Sequence, residues 1–202
     1  MAVKDHSLDE KIIKAAWNEF MAYGFQKASL HKIANNAGVT TGALYTRYKN
    51  KDALFCSLVE DAMASMTEKA KPMKEMYYAV EEKRNMEELI KVMEYEMMVF
   101  LDILFQYYDE CTLFFCRSEG SSVEIKLKQM TERKVEETVA FIKRMTKGTM
   151  NLTGIDLIIS EQFQFYRHIL EKRYSKEEAL SCMKTINMFL EAGWKRLFEE
   201  II

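Results

Sequence analysis

The stretch that decides the fold is GVTTGALYTRYKNKDAL, residues 38–54. Gly38 is the residue type that commonly follows the end of a helix, and Thr40 has the type and position that cap the beginning of the next one. The helix after Thr40 is barely two turns long and reaches Thr46 before Asn50 caps another. Its small residues predict that the backbone approaches another molecule closely, with tyrosines and three cationic side chains alongside.

Apolar residues spaced three and four apart predict helices upstream of this stretch. A first helix covers about 8–23 and ends at Gly24, and Ser29 begins a short second helix that ends at Gly38. Two short helices joined by a tight turn, with another helix packed across them, form a helix-turn-helix, in which the second helix of the pair enters the major groove of DNA. The inward face of the first helix is predicted to hold Ile13, Ala16, Trp17 and Phe20.

Downstream, the helix capped by Asn50 is predicted to run to about residue 70 and to break or bend near Pro72, because proline lacks a backbone N–H. Four later capping positions are each followed by an acidic residue three positions on. They predict helices over about 86–108, from 121 to about 147, from 153 to about 172, and from 175 to the end. The segment ECTLFFCRS adds a short element before Gly120. The capping residues are Asn85, Ser121, Thr153 and Ser175.

Composition agrees with an all-α fold. The chain has 202 residues and is 49% apolar. It contains one proline and seven glycines, which are too few turn-forming residues for the many turns of an all-β fold. Residues 1–55 carry eight Lys and Arg against five Asp and Glu, whereas the rest carries 21 against 26. The cationic end of the chain is therefore the end that carries the helix-turn-helix pattern.

Several classes of function lack support in the sequence. No apolar run is long enough to cross a membrane and the N-terminus does not resemble a signal peptide, so we expect a cytoplasmic protein without a membrane partner. The four cysteines form no CxxC pair, and neither a metal site nor a cofactor is predicted. Phosphate-binding loops and the HExxH and GxSxG motifs are missing, so no enzymatic activity is predicted.

The segment IIKAAWNEFMAYGFQKASLHKIANNAGVTTGALYTRYKNKDALF, residues 12–55, resembles the DNA-binding domain of the TetR family of bacterial transcription regulators. The matching motifs are IxxAAxxxF, the glycine between aromatic residues, IAxxAGV, TxGxLY and KNKDxL. The resemblance implies a helix-turn-helix DNA-binding domain over 1–55 and a larger helical domain for ligand sensing and dimerisation over 56–202. It also implies a repressor that binds a palindromic operator as a homodimer and is released by a small apolar or aromatic effector.

The resemblance places DNA contacts on the second and third helices and on the beginning of the fourth. Thr41, Gly42 and Ala43 are predicted to read bases. Arg47 and Tyr48 stand where the family usually has histidine and phenylalanine, so the contacts to the DNA backbone are predicted to be stronger or differently placed. Phosphate contacts are predicted for Ser29, Thr40, Tyr45, Arg47, Tyr48, Lys49 and Lys51.

For the larger domain the resemblance implies a small-molecule pocket among the middle helices and a dimer interface on the last two. Each pocket residue could equally be ordinary helical core. The predicted pocket residues are Met97, Phe100, Leu104, Tyr108, Phe115, Phe141, Met145 and Phe163. The predicted interface residues are Ile159, Tyr166, Leu170, Met183, Ile186, Leu190, Trp194 and Leu197. The alternative is a regulator of the same fold that responds to a protein partner or has no small-molecule effector.

Overall fold

The structure, a computed structural model, describes residues 6–148 and 152–199 of the chain. These residues form nine α-helices and no strand, which confirms the all-α prediction. The helices are α1 (His6–Lys27), α2 (Leu30–Ala37), α3 (Thr41–Arg47), α4 (Lys51–Lys83), α5 (Met86–Gln106), α6 (Tyr108–Cys116), α7 (Ser122–Met145), α8 (Ile155–Glu171) and α9 (Lys176–Glu199).

Most predicted caps are present at the predicted residues. The side chain of Asn50 accepts the backbone N–H of Ala53 at 2.7 Å, and that of Asn85 accepts the N–H of Glu87 at 2.9 Å. At the start of α9, Ser175 Oγ accepts the N–H of Glu178 while the carboxylate of Glu178 accepts the N–H of Ser175. This reciprocal pair is a capping box, and it satisfies two helix-terminal donors at once.

Three helix boundaries differ from the prediction. Helix α1 extends to Lys27, although its predicted end, Gly24, has non-helical backbone angles of φ 69° and ψ 170°. Helix α4 passes through Pro72 and continues to Lys83, instead of ending near residue 70. The buried Met73 and Val80 lie beyond the proline, and their packing offsets the cost of about 3 kcal/mol that proline imposes in a helix interior. Helix α8 is capped by Gly154 in the left-handed region rather than by the side chain of Thr153.

The chain forms two compact units. Unit 1 contains the residues up to Met63 together with Asp109–Lys128, and unit 2 contains Ala64–Tyr108 together with the residues from Gln129 onward. The two units are defined by how compactly their residues pack. The boundary between a DNA-binding domain over 1–55 and a ligand-sensing domain over 56–202 stays a prediction.

The core of unit 1 holds α1, α2 and α3 together. Phe20, Phe25 and Phe55 form an aromatic group in which the rings of Phe20 and Phe55 meet edge to face at 4.9 Å. The inward face of α1 is turned by about one residue from the prediction, because Ile12 is fully buried while Ile13 and Trp17 are half-buried. Ile33, Ala34 and Ala37 of α2 and Leu44 of α3 complete this core.

Unit 2 has its own core, formed by side chains of α4, α5, α7, α8 and α9. No described helix is both long enough and apolar enough to cross a membrane. The buried members of this core are Val80, Leu89, Val92, Phe141, Ile142, Ile155, Ile159, Trp194 and Phe198.

Candidate nucleic-acid interface

The turn between α2 and α3 has the geometry that a helix-turn-helix requires. Ser29 Oγ accepts the N–H of Lys32 at the start of α2, and Gly38 ends that helix with φ near +69°, a conformation that glycine adopts at little cost. Two residues later, Thr40 Oγ1 accepts the N–H of Ala43 at 3.1 Å and begins α3. The structure therefore places both predicted caps, and α3 follows α2 after a tight turn.

The surface of α3 is almost entirely open. Leu44 is its buried residue, whereas Gly42, Tyr45 and Thr46 are exposed and Thr41 is half-buried. The side chain of Tyr45 is 50% exposed, which excludes a place for this ring in the core of the single chain. The predicted base-reading residues, including the half-buried Ala43, thus lie on one short helix with a single inward anchor.

Gly42 is not required by the fold. It lies inside α3 with ordinary helical geometry, and a Cβ atom added there would meet Thr40 Oγ1 at 3.9 Å, an ordinary van der Waals distance. Glycine inside a helix costs about 0.5–1 kcal/mol relative to alanine. No described neighbour of Gly42 would prevent a larger residue at this position.

Two of the predicted phosphate contacts are already engaged within unit 1. Arg47 forms an ion pair with Asp9 of α1. Lys51 Nζ donates to the carbonyl oxygens of Gln26 and Ala28 at 3.1 and 3.2 Å, so it satisfies acceptors at the end of α1. Sequence reasoning missed these internal roles because both partners lie more than 20 residues away.

Two other predicted phosphate contacts, Lys49 and Tyr48, differ in exposure. Lys49 is exposed, and Tyr48 is half-buried with a pKa raised by burial. The structure adds Lys32, an exposed residue in the first turn of α2 whose ammonium lies 4.9 Å from the ring centroid of Tyr23. The sequence signal for Lys32 was its position three residues after the Ser29 cap, which places it at the same helix end.

The second segment of unit 1, which includes the end of α6 and the start of α7, contacts α1 and α4. The turn between α6 and α7 brings Ser122 to the first turn of α4, where its N–H and hydroxyl donate to the carboxylate of Asp52 at 2.8 and 2.7 Å. On α1, the N–H of Phe25 donates to the carbonyl of Arg117 at 2.8 Å. Asp52 thus links the beginning of α4 to a residue 70 positions later, a contact that no local pattern predicts.

The predicted pocket residues do not all lie in one place. Phe115 belongs to unit 1, where it is buried, whereas the others belong to unit 2. Met97, Leu104 and Phe141 are buried, and Phe100 packs against Tyr166 with ring centroids 4.3 Å apart. The half-buried members are Phe100, Tyr108, Met145 and Phe163.

Polar groups that were not predicted as site residues lie beside Phe100 and Phe141 in unit 2. The carboxylate of Glu96 accepts the hydroxyl of Tyr77 at 2.7 Å and the ammonium of Lys134 at 2.5 Å. The ring of Tyr77 meets Phe141 edge to face at 5.5 Å. Burial, and then the charge of Glu96, raise the pKa values of Tyr77 and Tyr166, so both phenols stay protonated at neutral pH.

Half of the predicted interface residues face the chain's own core. Ile159, Leu170, Met183 and Trp194 are buried in the single chain, so they offer no surface to a second copy. Tyr166 packs on Phe100 instead. Other large apolar residues on these helices are exposed: Leu157 on α8, and Met188 and Phe189 on α9, are 67%, 69% and 79% exposed and lie one or two positions from predicted interface residues. The predicted Ile186, Leu190 and Leu197 are half-buried.

Comparisons with known proteins agree with this geometry. The family model for bacterial regulatory proteins of the tetR family matches residues 12–58, which include α2, α3 and the first turns of α4. Two proteins of Bacillus subtilis strain 168, named as the uncharacterized HTH-type transcriptional regulators YdgC and YhgD, are 36% identical over 52 residues and 33% identical over 66 residues. These matches cover 26% and 32% of this chain, and 27% and 35% of those proteins.

The fold of the whole chain is also found among solved structures. A TetR-like transcriptional regulator from Rhodococcus sp. RHA1 superposes with a TM-score of 0.62 at 16% identity, over 95% of this chain and 100% of that one. At such low identity the likeness concerns the fold. The two Bacillus subtilis proteins are named as transcriptional regulators.

Proposed function

We propose that this chain, whose residues 12–58 match the family model of bacterial regulatory proteins of the tetR family, is a transcription regulator that binds a palindromic operator as a homodimer and releases it when a small molecule binds unit 2. The observation that carries the proposal is α3, a two-turn helix in which Leu44 is the one fully buried side chain and the other residues are exposed or half-buried. Because α3 contributes little to the core, its surface is available to an external partner. A helix-turn-helix fits the major groove of DNA.

Base reading is assigned to Thr41, Gly42 and Ala43. Gly42 leaves room for the backbone of α3 to approach base edges, and the hydroxyl of Thr41 can bond to any base or contact the methyl group of thymine. Substitution of Thr41 should therefore change which operator is preferred, whereas loss of a phosphate contact weakens binding to all sequences.

Phosphate contacts flank that surface. Tyr45 and Lys49 present an exposed hydroxyl and an exposed ammonium, and Ser29 and Thr40 lie at helix beginnings, where backbone N–H groups favour anions. Lys51 uses two ammonium hydrogens on carbonyl oxygens of unit 1 and keeps one for a phosphate. Arg47 and Tyr48 contribute from the end of α3, with Arg47 held in place by Asp9.

Dimerisation through α8 and α9 follows from their exposed apolar residues. One recognition helix reads few base pairs, and a two-fold pair reads two half-sites about 34–36 Å apart. Leu157, Met188 and Phe189 are large apolar side chains that face solvent in the single chain, and a second copy would cover them. Sedimentation of the Phe189→Glu variant should show a monomer. Its helical content and melting temperature should equal those of the wild type.

Release by an effector uses the continuity of α4. This helix begins at Lys51 in unit 1 and ends at Lys83 in unit 2, so a displacement of its second half changes the position of its first turn. A tenfold loss of operator affinity requires a coupling free energy of about 1.4 kcal/mol, and the operator must weaken effector binding by the same factor. The side chains that face the effector are assigned to unit 2, among Met97, Phe100, Leu104 and Phe141.

The test is a gel shift with the DNA that flanks the gene of this protein. Retarded wild-type complexes, lost on competition with the same DNA but not with unrelated DNA, support a specific regulator. A chain that retards both DNAs equally, or neither, contradicts the proposal. The alternative, a regulator controlled by a protein partner or by no effector, predicts that no small molecule which binds unit 2 alters the shift.

A further inference from the structure

Glu96 is the centre of a mixed polar and aromatic group in unit 2. The group, named here the Glu96 cluster, consists of Tyr77, Glu96, Phe100, Lys134, Phe141 and Tyr166. These residues come from α4, α5, α7 and α8 and supply one carboxylate, one ammonium group and four aromatic rings. Glu96 and Lys134, both partly shielded from water, stabilise each other's charge. A ligand that displaces one of them must therefore supply the same charge.

Lys134 is the more easily displaced partner of the ion pair. The two side chains are similarly exposed, 27% for Lys134 and 32% for Glu96, but the Lys134 ammonium is carried by a flexible four-carbon chain whose rotation can bring the charge into water. Glu96 has a shorter side chain, and its second carboxylate oxygen accepts the hydroxyl of the half-buried Tyr77. When the pair opens, the ammonium leaves and the carboxylate stays.

The space that Lys134 leaves is suited to another cation. Its Nζ lies 2.5 Å from Glu96 Oε1 and 5.2 Å from the ring centroid of Tyr77, which is the distance range of a cation–π interaction. Aromatic faces and a carboxylate both attract positive charge. The chain thus already holds a cation at this place, supplied by its own side chain.

We propose that the Glu96 cluster binds an organic cation with an apolar or aromatic body, whose positive group takes the place of the Lys134 ammonium. This rests on the proposed function, because it names the class of the effector. A carboxylate ligand would have to pair with Lys134 and would leave Glu96 without a counter-charge among apolar rings, which is costly. A neutral ligand would gain apolar burial and no interaction with the carboxylate.

The experiment is calorimetric titration of the full-length protein, without DNA, with benzyltrimethylammonium and with neopentylbenzene, its uncharged carbon isostere. We expect the cation to bind at least tenfold more tightly than the isostere. Lys134→Met removes the internal competitor and should tighten cation binding about tenfold. Lys143→Met, a matched change of an exposed lysine on the same helix, should leave it unchanged.

Glu96→Gln should weaken cation binding at least tenfold and leave binding of the isostere unchanged. Because this variant leaves Lys134 without its partner, the double variant Glu96→Gln with Lys134→Met, which removes both charges, is measured as well, with circular dichroism to verify folding. Its preference for the cation over the isostere should be at least tenfold smaller than that of the wild type, since only the aromatic rings still attract the cation.

Three results would overturn the proposal: no preference of the wild type for the cation, including no binding of either probe; weaker cation binding by Lys134→Met; or unchanged cation binding by the double variant. A gel shift on the same preparations separates this proposal from the proposed function. Specific DNA binding without cation binding removes the effector class alone. Cation binding without specific DNA binding removes the regulator and leaves the binding site.

Discussion

Units 1 and 2 differ in how their functional residues are distributed along the chain. In unit 1 the candidate DNA contacts come from residues 29–51, a continuous segment that holds two helices and the turn between them. In unit 2 the Glu96 cluster comes from four helices, with Tyr77 and Tyr166 separated by most of the unit. A function that is concentrated in one segment leaves a readable motif, whereas a dispersed site becomes visible only when the helices are packed together.

The largest expected effect tests whether the stability of unit 1 comes from its buried aromatic residues rather than from the exposed residues of the helix-turn-helix. Phe20 is fully buried, and its ring contacts those of Phe25 and Phe55. Phe20→Ala should lower the free energy of unfolding by about 3–5 kcal/mol, because it removes a large buried ring and leaves a cavity. Guanidinium denaturation measures the change. Tyr45→Ala, at an exposed aromatic residue of the same unit, should change it by less than about 0.5 kcal/mol.

The next effect tests whether the dispersed cluster of unit 2 also stabilises the fold. Tyr77→Phe deletes the hydroxyl that donates to Glu96 and leaves the ring against Phe141. Loss of a buried hydrogen bond to a charged group should cost about 1.5–3 kcal/mol. The control is Tyr78→Phe, the same change at the adjacent exposed tyrosine. Equal unfolding free energies for the two variants would show that the bond contributes nothing.

A smaller effect separates stability from function within α3. Gly42→Ala should raise the free energy of unfolding by up to about 1 kcal/mol, because alanine favours the helix and meets no close neighbour. If Gly42 reads bases as proposed, the added methyl group would meet the DNA, and we expect operator affinity to fall about tenfold, equivalent to about 1.4 kcal/mol.

Gly193→Ala is the matched control for Gly42→Ala. Gly193 is an exposed glycine inside α9 with no atom within 4 Å of an added Cβ. It should stabilise its helix similarly without affecting DNA binding. Unchanged operator affinity in the Gly42→Ala variant would contradict base reading by this part of α3.

The smallest expected effect concerns the electrostatic part of DNA binding by unit 1. Lys49→Ala should weaken binding to all DNA sequences a few-fold and reduce the slope of log affinity against log salt by about 1.8, because each protomer of the proposed dimer loses one phosphate contact worth about 0.9. Gel shifts at several salt concentrations measure the slope. Lys91→Ala, at an exposed lysine of α5 in unit 2, should leave it unchanged. Equal slopes for wild type and the Lys49 variant would remove Lys49 from the phosphate contacts.

The sequence by itself determined the helix-turn-helix and the beginnings of most helices. The caps at Ser29, Thr40, Asn50, Asn85 and Ser175 are present in the structure because a cap depends on hydrogen bonds to N–H groups two or three residues away. The all-α fold follows from the same local rules and from apolar spacing, which specify which residues can share a helix face.

Only the tertiary structure decided which side chains face the core and which distant groups meet. It turned α1 so that Ile12 is inward, carried α4 past Pro72, and buried Ile159, Leu170, Met183 and Trp194 on helices that also expose Leu157, Met188 and Phe189. It also joined Asp9 to Arg47, Asp52 to Ser122 and Glu96 to Lys134, which are 38, 70 and 38 positions apart. These pairs depend on how whole helices pack, and a pattern confined to neighbouring residues carries no information about that packing.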